Sequence, residues 1–506
     1  MQHLKVFQFF ALLISSTFLC SPSMGESSSP SFGESIPLLQ DRQIQTEEKL
    51  MSPGEQRSEE PVSLQQTLER IYMQNTDLDA ARAGLRATDE DVSQANAQWR
   101  PSLSVQGNQQ QSQEYPIGRG TKAHNSNTFY NATLSQNIYQ GGRTTATIGK
   151  TESEVLAGRA GLFNQEQQTL LAGVNAHTVI LANEAKVNYL EQSKQFYKKN
   201  LEHAEVRFEV GEGSRTDVEA SRAKYEEAIA TLSAAIGDLE SSRATYTQQV
   251  GNEPGNLSPA HLIIELPKNL EQAIEIAKTH SPIILQARYT LEAALYNVDV
   301  QIAGLLPSVD VQGQVGNSVQ HGTRASEANP LHPKNTTLNF QATVNIPLYS
   351  QGIPNSQIRQ AYQIVAQQKI QLVGAQRQAL ADVTSAWDNL IAARDSVKAY
   401  MAQVKAQELA VEGAVEEVNV GQKTIIDVLF LQEDLIAAQI NLADAQQKLV
   451  VTSYQVFVAM GRLTARDLRL NVKYYDPDAY YNEYKNAWIQ FWQGKDLRYV
   501  RDGDPQ

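Results

Sequence analysis

Residues 338–348 read Leu-Asn-Phe-Gln-Ala-Thr-Val-Asn-Ile-Pro-Leu, and an apolar residue occupies every second position from Leu338 to Leu348. Side chains of a β-strand point alternately to opposite faces, so this stretch predicts a strand with one apolar face. Its other face carries Asn, Gln and Thr, which are polar but uncharged, and Pro347. Such a strand is typical of a barrel wall between lipid and a wet lumen. A half-buried hairpin of a water-soluble protein is the alternative interpretation.

Three further segments share this alternation and the same polar second face. Their apolar residues are Leu103 and Val105, then Tyr130, Ala132, Leu134 and Ile138, then Val309, Val311, Val315 and Val319. The residues between neighbouring segments are polar and suit loops. The pattern therefore predicts two β-hairpins, at residues 102–139 and 308–348.

The two hairpins belong to an internal duplication. A shift of 206 residues places Pro101 on Pro307, and a shift of 210 places Tyr139 on Tyr349. The second copy therefore has four extra residues between its strands, where an insertion is best tolerated. Each copy reads as a helix, a β-hairpin and a long helical hairpin.

Apolar residues after each hairpin recur at steps of three and four, which is the heptad pattern of a coiled coil. In the second copy the pattern continues through Val428, Leu431, Leu435, Ala438, Leu442, Ala445 and Leu449. The run from Gly141 to Val210 would be about 100 Å long as a helix. We predict tight turns near Gly211 and Gly421, because glycine accepts the left-handed conformation that ends many helices. This length fits a coiled-coil tube or stalk.

The N-terminus predicts a secretory signal peptide, because a basic start precedes an apolar run from Val6 to Leu19 and small residues near Gly25. The one cysteine, Cys20, lies inside this segment, and a lipoprotein acylated at Cys20 is the alternative. The chain is thus expected to have five parts: a signal peptide (1–25), a disordered leader rich in Ser, Pro and Glu (26–62), a first repeat (63–257), a second repeat (258–470) and an aromatic-rich C-terminal segment (471–506).

The net charge, the residue composition and the absence of known motifs in the sequence exclude several classes of protein. The net charge is -13, and no cluster of Lys and Arg suits a nucleic-acid partner. The eight histidines show no metal-ligand spacing, and no nucleotide or nucleophile motif is present, so neither a cofactor nor an enzyme is expected. No run of 18 apolar residues follows the signal, so a membrane would be entered as a barrel.

Four strands cannot close a barrel, and an open sheet edge in lipid leaves backbone groups unpaired. Single-chain barrels begin at about 8 strands, so the subunits must share one barrel, with two or three copies allowed by this argument. The expected fold class is therefore an α+β membrane protein, internally duplicated. Each subunit would contribute four transmembrane strands to a shared barrel, twelve-stranded in a trimer, and its long helices to a coiled-coil tunnel.

Together these features resemble the TolC family of outer-membrane channels over roughly residues 64–470. The tip strings Val-Gly-Glu-Gly-Ser-Arg-Thr-Asp-Val at 210–218 and Val-Gly-Gln-Lys-Thr-Ile-Ile-Asp-Val at 420–428 carry the resemblance, with Met-Gly-Arg-Leu-Thr at 460–464. The family implies a homotrimer in the Gram-negative outer membrane with a periplasmic tunnel. It also implies an inner-membrane transporter of ABC or RND type and a periplasmic adaptor as partners, for efflux or type I secretion.

The resemblance also implies a periplasmic gate at the helix tips. Asp427 matches an acidic ring position and Lys423 a basic tip residue, while Thr216 and Asp217 match their partners on the neighbouring hairpin. Phe430 stands where a second acid is expected, which argues against a doubled carboxylate ring. Helix capping is the alternative role of both acids, because Ser or Thr precedes each by three residues.

Two functions from different classes follow. The first is an export channel in the outer membrane. A periplasmic coiled-coil scaffold or adaptor with soluble hairpins is the second. The aromatic C-terminal segment is expected to pack around the outside of the helical tube, with adaptor docking as its alternative.

Overall fold

The computed structural model describes five stretches of the chain, all within one compact unit, Glu59–Gln506: residues 61–115, 123–260, 266–323, 334–420 and 422–488. The predicted signal peptide with Cys20 and residues 26–60 of the predicted leader lie outside the described residues. Val62, the last residue of that leader, forms a parallel bridge with Leu257. The described structure therefore includes residues 61 and 62, which the sequence pattern assigns to the leader.

Helices and strands follow the same order in the two halves. The first half comprises α1 (Leu64–Gln74), α2 (Thr76–Ala97), β1 (Ser102–Glu114), β2 (Ala123–Gln140), α3 (Arg143–Glu209) and α4 (Arg215–Val250). The second comprises α5 (Leu270–His280), α6 (Pro282–Ile302), β3 (Ser308–Thr323), β4 (Lys334–Asn345), α7 (Ile353–Asn419) and α8 (Ile425–Ala459), and a short α9 (Pro477–Tyr484) follows. The predicted combination of long helices with a small sheet is confirmed.

The first helix of each repeat was expected to be continuous, and the structure breaks it in two. Asn75 has extended backbone angles and accepts hydrogen bonds from the backbone N–H groups of Asp77 and Leu78, which starts α2. In the second half Pro282 opens α6, and the preceding Ser281 leaves the helical conformation. Proline disfavours a helical residue before it, so the same break has a different local cause in each copy.

The four strands form one antiparallel sheet in the order β1-β2-β3-β4. Its register places Val105 opposite Ala132, Ala132 opposite Val315 and Val315 opposite Leu338. The apolar positions of all four strands therefore share one face. Leu338 is 82% exposed on that face, so the isolated chain leaves a broad apolar surface uncovered.

The last strand is shorter than the sequence pattern predicted. β4 ends at Asn345, whereas the alternation continues to Leu348. The equivalent part of β2 continues to Gln140 because it pairs with β3 through a bulge near Asn137. Beyond Asn345 the chain has no such neighbour, and Pro347 cannot donate a ladder hydrogen bond.

The helices pack around α3, which contacts α2 and α4 of its own half and α6 and α8 of the other. The largest core cluster joins both halves, with Leu170 of α3 packed near Tyr454 and Phe457 of α8 and near Leu463 beyond it. The main neighbours of helix α7 are α5, α6 and α8, which all belong to its own half. No described helix has an apolar stretch long enough to cross a bilayer.

A buried polar chain ties α1, α3 and α4 together. The His177 ring lies between the Thr67 hydroxyl, 3.0 Å from its Nδ1, and the Ser258 carbonyl, 3.0 Å from its Nε2. Since a carbonyl only accepts, Nε2 carries the proton and Nδ1 accepts from Thr67, whose oxygen in turn accepts from the Tyr246 hydroxyl at 3.1 Å. Burial lowers the pKa of His177, which favours the neutral form of this histidine at pH 7 in the folded chain.

Candidate functional site

The tip between α3 and α4 is a tight turn closed by backbone hydrogen bonds. Gly211 has a φ of +80°, and the N–H groups of Glu212 and Gly213 both donate to the Arg207 carbonyl. Ser214 then starts α4 with a reciprocal cap. The Asp217 N–H donates to the Ser214 hydroxyl at 3.1 Å, and the Ser214 N–H donates to the Asp217 carboxylate at 3.3 Å.

The tip between α7 and α8 has the same construction with a stronger cap. The Asp427 carboxylate accepts from the Thr424 N–H at 3.0 Å and from the Thr424 hydroxyl at 2.7 Å. The Thr424 oxygen in turn accepts from the Asp427 N–H at 3.3 Å. Gly421, predicted to form this turn, lies outside the described residues.

These contacts change the charge behaviour of one acid. The hydroxyl and N–H of Thr424 stabilise the Asp427 carboxylate and hold its pKa below the usual range, with a smaller contribution from the charge of Lys423. Asp427 is exposed, so at neutral pH it presents a negative charge to the solvent at the tip. Capping and charge presentation are thus two properties of the same carboxylate.

The structure does not join the two tips of one chain. The Lys423 ammonium group pairs with Glu417 of its own hairpin, 2.7 Å from its Oε2. Within the part of the chain that the structure describes, no hydrogen bond or ion pair links Lys423 or Asp427 to Thr216 or Asp217. Thr216 is exposed at the start of α4. Phe430 is exposed as well, one turn after Asp427.

An ion pair also links the two helical hairpins, eight to nine residues beyond the helix starts at the tips. The Lys224 ammonium group of α4 lies 2.7 Å from Glu433 Oε2 on α8 and 3.0 Å from Glu227 Oε2 on its own helix. The hydrogen bond to Glu433 raises the pKa of Lys224. Beneath this cluster Tyr197 of α3 is buried, and burial raises its pKa to about 12.

Sequence reasoning missed Lys224 and Glu433. Lys224 precedes Tyr225, which the shift of 210 places on Leu435 of the predicted heptad seam. Charged residues beside a seam commonly bridge neighbouring helices. That position was a usable signal, but the pattern alone does not tell which helix supplies the opposite charge.

The side chains at the tips offer electrostatic interactions. Over the described ranges no group of three or more His, Cys, Asp or Glu side chains could hold a metal ion. The tips instead combine capped carboxylates, one ion-paired lysine and an exposed aromatic ring. Such an arrangement can attract or repel charged solutes.

Comparisons with known proteins identify the family. Residues 67–252 and 273–462 match the family model described as outer membrane efflux protein. The outer membrane efflux protein BepC of Brucella suis biovar 1 is 35% identical over 429 residues, which cover 83% of this chain and 90% of BepC. TolC of Escherichia coli K12 is 25% identical over 417 residues, covering 80% and 83%.

Solved structures agree on the fold. The Campylobacter jejuni CmeC outer membrane channel superposes with a TM-score of 0.70 at 14% identity, covering 83% of this chain and 89% of that one. The family match spans both halves of the duplication, and its members are transport proteins of the Gram-negative outer membrane, not enzymes. The chain therefore belongs to the TolC family of outer membrane efflux proteins.

Proposed function

We propose that the chain is one subunit of a trimeric channel tunnel that exports proteins or small molecules from the periplasmic side to the exterior. In this proposal three copies share a twelve-stranded barrel. An inner-membrane transporter of ABC or RND type and a periplasmic adaptor deliver the cargo. The names of relatives span both cargo classes, from the efflux protein BepC to PrtF of Dickeya chrysanthemi, a proteases secretion protein 24% identical to this chain.

The observation that carries this proposal is the pairing of β2 with β3. The two hairpins have equivalent registers, since Ser102 lies opposite Ser135 in the first and Ser308 opposite Asn345 in the second. The β2–β3 seam therefore joins the second strand of one repeat to the first strand of the next. β4 and β1 are the corresponding strands at the two free edges, so β4 of one copy can pair with β1 of another.

The duplication also specifies the register of that new seam. Leu134 lies opposite Gly313 inside the chain. Applying the shifts of 210 and 206 predicts that Val344 lies opposite Gly107 of the next copy. The apolar faces then remain continuous around the sheet, and the stretch after Asn345 gains the neighbour that the equivalent part of β2 already has.

The helices support the same assembly. An open groove of about 460 Å³ between α5 and α7 is lined by Ile274, Ile284, Val373 and Leu380 among others. The equivalent position in the first half is filled by the chain itself, where Leu170 packs near Leu463. A second copy is the natural occupant of the groove, because it carries the same duplicated elements.

Cysteine pairs test the register, and the chain offers a matched control. The variant Thr343→Cys with Asn108→Cys should form disulfide-linked oligomers on oxidation, because the proposed seam places these residues opposite each other. The control Thr133→Cys with Gln314→Cys, which is the same pair inside one chain, should form an intramolecular disulfide instead. Linkage by Thr343→Cys with Gly107→Cys in preference would contradict the register.

Cell fractionation tests the function against a periplasmic scaffold. A channel subunit should appear in outer membranes as an oligomer whose migration changes on heating. Release of the protein by osmotic shock would contradict the channel. Crosslinking in cells would then identify the inner-membrane partner and with it the class of cargo.

We further propose that the helix tips form the periplasmic gate and that residues 63–257 and 258–470 are the two units of the duplication. Asp427 with Lys423 would act on one tip, Thr216 with Asp217 on the other, and Phe430 would line the entrance. The exposure of Asp427 and Phe430 supports this role. The ion pair between Lys224 and Glu433 would hold the two hairpins of each subunit together.

A further inference from the structure

The described part of the C-terminal segment, residues 471–488, is a strap that runs along the first half of the chain. It begins at α1, where the Asn471 N–H donates to Glu69 at 2.9 Å. Near its other end the side chain of Asn96 on α2 donates to the Lys485 carbonyl at 3.0 Å. Helix α9 forms the middle of the strap and contacts α2. The strap is therefore tied to the first repeat on both sides of α9.

Charged and aromatic side chains hold α9 against its neighbours. The Asp478 carboxylate of α9 forms an ion pair with the guanidinium of Arg159 on α3. The same guanidinium lies over the Tyr481 ring, 5.2 Å from its centroid. On the other side the Tyr480 hydroxyl donates to Glu90 of α2 at 2.7 Å. Arg159 thus receives both a charge and a ring from the strap.

A buried acid, Asp89 of α2, lies beside this contact. Its side chain is only 3% exposed, and within the described residues neither carboxylate oxygen has a hydrogen-bond partner. Burial without a donor disfavours the ionised form of a carboxyl group. Burial accordingly raises the pKa of Asp89 to about 6, the charge of Arg159 opposes this rise, and the charges of Asp478 and Glu90 add to it.

Acids outnumber bases in this cluster, and docking of the strap increases the imbalance. Asp478 brings a further negative charge, and it shares the Arg159 guanidinium with Asp89. Undocking would admit water, remove one acid and leave Arg159 to Asp89, and each change favours the ionised Asp89. The groups around Asp89 are Arg86 and Glu90 from α2, Glu152 and Arg159 from α3, and Asp478, Tyr480 and Tyr481 from α9.

The second repeat shows that its helix does not require an acid at this position. The shift of 206 places Asp89 on Leu295 of α6, and Leu295 is 47% exposed. Helix α9 has α2, not α6, as its main helical neighbour. A buried carboxyl group therefore occurs in the repeat that carries the strap, and an exposed leucine takes its place in the other repeat.

We propose that Asp89 and Arg159 form a proton-linked latch, which holds α9 against α2 and α3 in mildly acidic surroundings and loosens at neutral pH. The docked strap raises the pKa of Asp89, so docking takes up a proton. The added stability is present below pH about 6 and is lost as pH rises through that value. The latch does not require the strands to span a membrane, so its failure would leave the proposed channel untouched.

Hydrogen exchange of the α9 backbone amides tests the latch on the full-length protein in detergent. After correction for the intrinsic exchange rates, the α9 amides of the wild type should open about tenfold more often at pH 7 than at pH 5. This factor follows from a pKa of about 6 in the docked strap and the ordinary value of 3.8 in the undocked one. Amides of α7, which has no extensive contact with the strap, report global opening.

Two variants assign the effect to one carboxyl group. Asp89→Asn cannot titrate, so its α9 amides should open equally often at pH 5 and pH 7. Asp91→Asn removes an exposed acid of the same helix and should keep the tenfold change of the wild type. Equal opening of wild-type α9 at both pH values would overturn the latch. A tenfold change that persists in Asp89→Asn would overturn it as well, because another group would then be the one that titrates.

Discussion

Helices α3 and α7 occupy the same place in the two repeats, and each has 67 residues. Yet α3 has 21 buried residues, whereas α7 has nine. The difference is not one of composition alone, because α3 buries polar groups such as Glu166 and His177 as well as apolar ones. Neighbours from both halves surround α3, whereas the main neighbours of α7 all belong to its own half.

The comparison shows which surfaces of a single chain lack a packing partner. Equivalent side chains differ in burial: Leu170 is fully buried on α3, whereas its counterpart Leu380 is 47% exposed on α7. If copies assemble so that α7 gains the neighbours α3 already has, the two helices become alike.

The largest effect is expected from Leu170→Ala. Deleting a fully buried leucine side chain leaves a cavity in the core shared by both halves, so the free energy of unfolding should fall by about 3 kcal/mol. Chemical denaturation of the dissociated subunit in detergent measures this loss. In that single subunit no second copy covers Leu380, so the matched variant Leu380→Ala should lower the free energy of unfolding far less, and an equal loss would contradict the comparison.

A charge on α7 should act on assembly rather than on folding. Leu380→Glu would place a carboxylate in the groove that a second copy is proposed to fill, and burial of an unpaired charge weakens association by about 2 kcal/mol or more. Sedimentation in detergent should therefore show a larger monomer fraction with unchanged helical content. A variant that forms as much trimer as the wild type would show that α7 does not contribute to the subunit interface.

The third effect is a pH dependence that only the first repeat carries. His177 corresponds to Trp387, which does not titrate. Because the pKa of His177 is lowered in the folded chain, the unfolded chain takes up the proton first as pH falls below about 6.5. Stability should then fall by up to about 1.4 kcal/mol per pH unit until the folded pKa is reached.

The measurement compares the wild type with His177→Asn. The difference between them isolates this residue, since Asp89, whose pKa burial raises to about 6, changes stability in the opposite direction. The wild type should lose more stability than the variant between pH 7 and pH 5. Parallel pH profiles would mean that protonation of His177 does not contribute to the pH dependence of stability.

A smaller effect is expected at the tips, where Asp427 and Asp217 form matched caps. Asp427→Ala should weaken the block of single-channel current by polyvalent cations, while Asp217→Ala should weaken it less because the Asp217 side chain is less exposed than that of Asp427. Since the pKa of Asp427 is lowered, block should persist in mild acid and disappear only as pH falls through that lowered value. Equal block in wild type and Asp427→Ala would leave capping as the sole role.

The smallest effect concerns the basic residues of the two tips. Lys423→Ala removes the ion pair with Glu417 and should raise the current through the closed channel modestly. Arg215→Ala on the other tip is the matched control and should leave this current unchanged. A rise in the Arg215 variant alone would reverse the expected asymmetry between the tips.

Much of the fold was predictable because its signals are local. Period-two alternation identified the strands near residues 102, 130, 308 and 338, and heptad stepping identified the long helices. The breaks at Asn75 and Ser281 were missed because a single capping residue or proline interrupts an otherwise helical pattern. The strand end at Asn345 was missed because a strand's length depends on its neighbour, which the pattern of one strand does not contain.

The site was predictable only in part. The spacing of Ser214 and Thr424 before their acids predicts capping, and the structure contains both caps. The pairing of Lys423 with Glu417 and the bridge from Lys224 to Glu433 depend on which rotamer and which helix approach each lysine. Such choices arise from three-dimensional packing, so no short sequence pattern encodes them.

The β2–β3 seam also has a kinetic meaning. The proposed closed ring of three duplicated chains would have six seams between repeats, of which three would be made inside single chains before any copies meet. Intramolecular pairing proceeds at an effective concentration of about millimolar, far above that of free subunits in a cell. Duplication thus turns what would be a six-body encounter into a three-body one, and it leaves only two sheet edges per chain exposed to wrong partners while assembly is under way.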